Sequence, residues 1–441
     1  MSRNRHAVIW TRVGGTPEKM GDLVAGGDRI SFTYTDAYLA SGLPGFCLLG
    51  DGSIWGRDSV VYPVSERIPV FPRLLSLLPG HNPRNLQRRH YLDILRARLG
   101  REPPPGPETE WQLLLLGGHG GIGHVDVFAD DRAAADWYRR EGRPAAPSSP
   151  TGDSRSQLWR MLRREVLDQN LDFDAAVVEQ LLGPTPSVGG MIPKLLVAID
   201  PDRTDASFFP PGSPGLVDVV LKIEPPEYPG LLDLEALCLR LHREAGFEVP
   251  EHWRIDGDDL RFLAVERFDR DADGRPLPME SLFSVIATGD HRFRETGDLL
   301  LDELGDVIAR LGQVAVLPSD TAELLYRRIL LALLTGNGDL HLDNLSLLGG
   351  LDDCRLAPVY DPAPMRAWPR HDLVSAIPFD PAGHPDHGAF FIALGSRFGL
   401  EREAVQRCVR ESLAATAGYV DRVQALERVP RAQRQRLAGI A

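Results

Sequence analysis

Cysteine is scarce in this sequence: Cys47, Cys238, Cys354 and Cys408 are the only four in 441 residues. They lie far apart, with neither the density of a disulfide-stapled scaffold nor C-x-x-C metal spacing, which favours a reducing, cytoplasmic compartment. Long apolar runs are missing too. Stretches such as Ile329–Leu334 are too short to span a bilayer, and no basic segment followed by an apolar one stands near Met1. Neither membrane insertion nor export is expected. Positive charge is in deficit, with 49 lysines and arginines against 62 acidic residues and a net charge of -13. That balance works against direct binding of nucleic acid. Lysine itself is rare beside arginine, so a lysine inside an apolar strand stands out.

What is present is a 43% hydrophobic content, enough for two or three packed units. Strand-like runs at Ala7–Trp10 and Arg29–Tyr34 and a helical pattern at Leu86–Leu99, stopped by Gly100, make the first hundred residues a small α/β unit. After a proline-rich break, Trp111–Leu116 reads as a buried strand leading into Gly118-His-Gly-Gly-Ile-Gly123. These six letters match G-x-G-x-x-G, but the segment that follows, His124–Phe128, alternates like a strand instead of opening a helix. A tight hairpin turn is the better reading than a dinucleotide site.

Residues 129–158 are charged and then rich in Pro, Ser and Gly, as a flexible connector would be, with the main boundary near residue 150. Helical patterns follow at Gln157–Leu167 and Asp174–Leu182, then strands at Leu195–Ile199 and Val217–Ile223. A helix at Leu231–Ala245 ends at Gly246, and a buried strand occupies Arg261–Phe268. Asp320 with Glu323 forms a capping-box pattern opening a helix that runs to Thr335, where Gly336 stops it. The expected division is an N-terminal subdomain over 1–130, a linker over 131–155, a region with a phosphate-binding loop over 156–298 and a helical region over 299–441.

Immediately after that helix comes the polar loop Gly336-Asn-Gly-Asp-Leu-His-Leu-Asp-Asn344. Asp339 and Asn344 have the D-x-x-x-x-N spacing in which a carboxylate receives a hydroxyl proton and an amide oxygen binds Mg²⁺. Strands at Leu345–Leu348 and Cys354–Val359 would form a hairpin delivering Asp361 back towards Asn344. Two oxygen ligands brought together in this way suit a hard divalent ion. Lys222 in an apolar strand and Glu235 on the next helix could form a strand-lysine to helix-glutamate ion pair. Ser187-Val-Gly-Gly-Met-Ile-Pro-Lys194 offers Gly189 and Gly190 for close backbone approach to phosphate, with Lys194 at its end. Glu266 and Phe268 could present backbone groups to an adenine edge, and His341 could orient the loop. His384 and His387 have metal-like spacing but read as solvated loop, with no transition metal.

Ser187–Lys194, the Val-Val-Leu-Lys222 strand, Leu-Glu235-Ala-Leu-Cys-Leu, Ala-Val-Glu-Arg-Phe-Asp-Arg270, Asn337–Asn344 and Tyr360-Asp361 together, and in this order, resemble the HipA family. The resemblance implies an α+β fold: a two-lobed protein-kinase-like body with an N-terminal α/β subdomain and a mostly helical C-lobe. It implies an ATP- and Mg²⁺-dependent serine/threonine protein kinase of the growth-inhibiting toxin type. Asp339 would be the base, Asn344 and Asp361 the metal ligands, and Lys222 the lysine on the α- and β-phosphates. Ser187 looks like the serine that the family phosphorylates on itself. The implied partners are a protein substrate, such as a translation-associated enzyme, and a small HipB-like helix-turn-helix antitoxin. The chain departs from the family pattern at Ile192, Leu340 and Asp343, which leaves substrate recognition less defined than ATP chemistry. Other readings of the residues stay open: a turn-and-cap role for Asp339 and Asn344, a small-molecule phosphotransferase, or an inactive ATP- or partner-binding module.

Overall fold

Period-two alternation builds the first strands: in β3 (Arg29–Tyr34), Ile30, Phe32 and Tyr34 are buried while the residues between them face the other side. The computed structural model describes residues 4–52, 59–81, 85–141, 192–202, 207–257, 260–295 and 297–440. The chain divides into two compact units. Met1–Glu227 joins Glu251–Pro278 in the first, and Tyr228–Pro250 joins Met279–Ala441 in the second.

In the first unit β3 pairs with β2 (Glu18–Gly26) and β4 (Val60–Pro63), and β2 pairs with β1 (Arg5–Thr11), which also pairs with β5 (Asp126–Phe128). All of these pairings are antiparallel. Gly21 in β2 is required by close approach, since a Cβ there would lie 2.1 Å from the Thr33 carbonyl oxygen. A second antiparallel sheet has the order β6-β7-β9-β8, from β6 (Lys194–Ile199), β7 (Val217–Ile223), β8 (His252–Asp256) and β9 (Arg261–Glu266). Leu195, Val197, Val219, Leu221, Phe262 and Ala264 form its core.

Two expectations for this unit fail. Trp111–Leu116 is not a strand but part of the helix Pro107–Gly117. Proline as its first residue and Glu108 and Glu110 in its first turn favour a helix start, and Trp111, Leu113 and Leu114 form its buried side. The six-residue glycine motif consequently joins a helix to β5 and does not turn a hairpin. The expected connector is also partly ordered, because a helix covers Asp131–Glu141. Its apolar side packs Ala134, Trp137 and Tyr138 with Val8 and Phe128. The helical patterns at Gln157–Leu167 and Asp174–Leu182 lie outside the described residues.

The glycine motif has a structural role. Arg267 Nη2 donates to the Gly121 carbonyl at 2.6 Å, and Arg270 donates to the carbonyls of Gly121 and Gly123 at 3.0 and 3.1 Å. Asp269 Oδ2 accepts from Arg267 Nη2, Arg270 Nη1 and the Gly123 amide at 2.8–2.9 Å. Carbonyls turned to guanidinium groups are the reverse of an amide cradle for phosphate.

In the second unit β10 (Met279–Ser281), β11 (Ser346–Leu348) and β12 (Arg355–Leu356) form a small antiparallel sheet surrounded by helices. The helix Thr321–Thr335 is central, with Leu325, Tyr326, Ile329, Leu330 and Leu331 buried, and it ends at Gly336 in the left-handed conformation, φ 79°. The capping box does not form. Asp320 sits at φ -93°, ψ 2°, outside the extended conformation that turns an N-cap side chain onto the helix amides. Glu323 instead accepts a forked pair from Arg407 at 2.7 and 2.8 Å. The second hairpin strand is shorter than expected, because the Val359 amide leaves the ladder to donate to the Glu248 carbonyl at 2.9 Å.

Burial pushes the Asp269 carboxyl up, but Arg267, Arg270 and the Gly123 amide outweigh it and hold the group below the ordinary carboxylate range. A depressed folded-state pKa means that its contribution is complete above the unfolded carboxyl range and is lost as pH falls through the folded value. Asp269→Ala, which strands Arg267 beneath the surface, is expected to cost roughly 3–5 kcal/mol. Urea midpoints compared at pH 7 and pH 4 check this: the deficit should be present at both, and no deficit would rule out the role assigned to Asp269.

Candidate active site

The loop after Thr335 is shaped by its glycines and asparagines. A Cβ on Gly338 would lie 2.0 Å from the Leu373 carbonyl oxygen, so the chain passes too close there for any side chain. The Asp339 amide donates to Asn337 Oδ1 at 3.1 Å, and Asn337 is 3% exposed. Asn344 Nδ2 donates to the Asp339 carbonyl at 3.0 Å. That bond orients the Asn344 amide and leaves Oδ1 as its acceptor end. The Asp343 amide donates to His341 Nδ1 at 3.2 Å, so His341 closes the short 3-10 turn Leu342–Asn344.

The hairpin returns the next acid to this loop. Tyr360 Oη donates to the Asp343 carbonyl at 2.8 Å and lies 2.6 Å from Ser346 Oγ, which sets Tyr360-Asp361 beside Asp343-Asn344. Asp361 has φ 50°, the only non-glycine residue with positive φ among the described residues. A residue held in this sparsely populated region needs surroundings that over-determine it, a situation concentrated at functional sites.

Sequence reasoning missed the residue beneath this junction. Arg328, on the helix Thr321–Thr335, is 4% exposed. Its guanidinium donates to the Asn344 carbonyl at 3.1 Å and the Ala357 carbonyl at 3.3 Å, and it lies 5.6 Å from the centre of the Tyr360 ring. Burial lowers its pKa to about 10, against the pull of Tyr360 and Asp361, so it stays cationic at neutral pH. The available signal was weak: an arginine two turns before the loop, on the apolar side of a helix.

His371 is a second missed neighbour. Its Nε2 lies 2.6 Å from Tyr228 Oη, and Arg370 stacks 4.5 Å from the Tyr228 ring centre. Burial and Arg370 lower its pKa while Asp339 opposes them. His387, expected in a loop, is instead the first residue of the helix His387–Arg397.

The remaining candidates are distributed between the units. Lys194 and Lys222 belong to the first, where they pair directly across β6 and β7. The chain holds three lysines, Lys19, Lys194 and Lys222. Two of them thus project from the same face of one sheet, 8% and 3% exposed. Glu266 ends β9, with its amide donating to the Glu251 carbonyl at 2.9 Å, and Phe268 is half-buried beside it. Glu235 is fully buried on the helix Leu231–Glu244 of the second unit. Ser187, Gly189 and Gly190 lie outside the described residues.

The HipA-like C-terminal domain family matches residues 186–419, more than half of the sequence and all of the loop and hairpin just described. The chain belongs to that family. A curated relative from Haemophilus influenzae named "Putative kinase" is 27% identical over 202 residues, which cover 42% of this chain and 54% of the relative. "Putative kinase Y4dM" from Sinorhizobium fredii is 29% identical over 173 residues, covering 36% of this chain and 38% of the relative. The chain thus spans about half, or less, of the length of these relatives. Among solved structures, a Shewanella oneidensis MR-1 toxin–antitoxin complex of HipA, HipB and operator DNA superposes with TM-score 0.61 at 18% identity. That match covers 98% of this chain and 94% of the other. The fold is accordingly α+β and two-lobed, of the HipA kinase type.

Among the described residues no helix is long and apolar enough to cross a membrane, and no three His, Cys, Asp or Glu residues group to hold a metal. The oxygen donors of Asn344 and Asp361 nonetheless fit an ion that takes one or two protein oxygens, with the rest supplied by phosphate and water. Arg328→Met is expected to leave two buried carbonyls unpaired, costing roughly 1–3 kcal/mol each. Thermal unfolding should report that loss, and an unchanged melting temperature would contradict the role given to Arg328.

Proposed function

We propose that this chain is an ATP- and Mg²⁺-dependent kinase of the HipA toxin type that phosphorylates a serine or threonine hydroxyl on a protein. The observation that carries the reading is the junction of Tyr360-Asp361 with Asp343-Asn344, fastened by the Tyr360 hydroxyl and the buried Arg328 guanidinium. Membership of the HipA-like family and similarity to relatives named as kinases support it.

In this reading Asp339 accepts the proton of the attacking hydroxyl, and its carbonyl bond to Asn344 keeps base and metal ligand in one frame. Asn344 and Asp361 would hold Mg²⁺, which when bound neutralises charge on the transferred phosphoryl group. Lys194 and Lys222 would meet nucleotide phosphates, with Gly189 and Gly190 lending backbone donors, Glu235 steadying Lys222, and Glu266 and Phe268 at the adenine. His341 acts on the shape of the loop through Asp343. Ser187 is the proposed site of self-phosphorylation, where an added dianion would repel ATP from the phosphate loop. A HipB-like helix-turn-helix antitoxin is the proposed partner, in line with the complex of the structural neighbour. Cytoplasmic location and a translation-associated substrate belong to the same proposal.

Incubation with γ-labelled ATP and Mg²⁺ should label the wild-type chain, with mass spectrometry locating phosphate on Ser187. Asp339→Ala should lower transfer by at least about a hundredfold, the scale of lost base catalysis. Unlabelled protein that also phosphorylates no protein in an extract would reject the kinase reading, and transfer only to small molecules would replace it with a small-molecule phosphotransferase.

A further inference from the structure

The catalytic loop is held from behind by the helix Arg431–Ala438. At Gly336 a Cβ would lie 3.0 Å from Cδ2 of Leu437, a buried residue of that helix. The segment 365–373, which follows Asp361 in the chain, lies against the two glycines that flank Asn337. The Arg366 amide donates to the Gly336 carbonyl at 3.2 Å, and the close approach of Leu373 and Arg366 Cγ to Gly338 continues the contact. Arg436 fastens this segment at two points. Its Nε donates to the Arg366 carbonyl at 2.7 Å, and its Nη2 lies 2.5 Å from Asp372 Oδ1. Arg366 Nε lies 3.9 Å from the same Asp372 oxygen.

We propose that Arg436 is a positioning residue: by clamping 365–373 onto Gly336–Gly338 it fixes where Asp339 stands. The consequence for catalysis rests on the reading of Asp339 as the base, but the clamp itself does not. The Arg436 and Asp372 side chains are 31% and 58% exposed. An ion pair so exposed contributes about 0–1 kcal/mol to folding, so its removal leaves the fold in place. A catalytic group displaced by about 1 Å, by contrast, loses on the order of a hundredfold in rate. Both halves of the fork matter, because a lysine at 436 could keep the charge opposite Asp372 but not the second directed bond to Arg366.

Hydrogen exchange and steady-state kinetics on full-length wild type, Arg436→Ala and Arg436→Lys test this. Arg436→Ala should speed amide exchange at 336–341 and 365–373 while the protein stays folded, with its melting temperature lowered by no more than about 4 °C. Its kcat should fall roughly ten- to a hundredfold with the KM for ATP unchanged, and Arg436→Lys should lie between. Unaltered exchange at 336–341, or faster exchange with full kcat, would overturn the proposal. If the wild type transfers no phosphate while Arg436→Ala still frees 336–341, the kinase reading fails and the clamp stands.

Discussion

The candidate site depends on one buried cation. Arg328 reaches the carbonyl of Asn344 on one side and that of Ala357 on the other, under the ring of Tyr360. A loop and a hairpin with separate hydrogen-bonding needs are tied to a single rigid fork, and the two proposed metal ligands stand on the tied segments. Lysine would be a poorer substitute, since its compact ammonium on a flexible stem lacks the rigid planar fork that serves the two carbonyls from separate nitrogens. The same fork accounts for Asp361: a non-glycine residue persists at φ 50° because the segments around it are held independently.

Guanidinium groups facing main-chain carbonyls recur through the fold. Arg267 and Arg270 draw in the carbonyls of the Gly120–Gly123 turn, and Arg436 draws in that of Arg366. In an acidic chain with three lysines, arginine serves as the structural cation. Two of those lysines stand opposite each other on β6 and β7.

Much of this was legible in the sequence, and the failures have physical causes. Strands Arg29–Tyr34 and Val217–Ile223 and the helix Leu86–Leu99 were readable to the residue, because alternation, 3.6-residue periodicity and glycine stops agreed there. The helix before the loop and the hairpin after it were readable for the same reason. Trp111–Leu116 misled because a short run that is apolar but for Gln112 has no clear period of its own, and only the proline and acids ahead of it mark a helix. The glycine motif was rightly read as a turn, with φ values of 67° at Gly120 and 81° at Gly123, and only its setting was wrong, because the segment before it is a helix and not a strand. Arg328, His371 and Arg436 were invisible because their roles arise from contacts 16 to 143 residues away in the chain. Local pattern carries no trace of such pairings.

The central claim is that Asn344 and Asp361 act together on one divalent ion. A double-mutant cycle tests it most directly: affinity for a non-hydrolysable ATP analogue, with and without Mg²⁺, in wild type, Asn344→Ala, Asp361→Ala and the double variant. The account predicts that Mg²⁺ tightens binding in the wild type. It also predicts that either substitution removes most of that gain, with the double variant little worse than the singles. Strictly additive losses, or a Mg²⁺ effect that survives both substitutions, would contradict it.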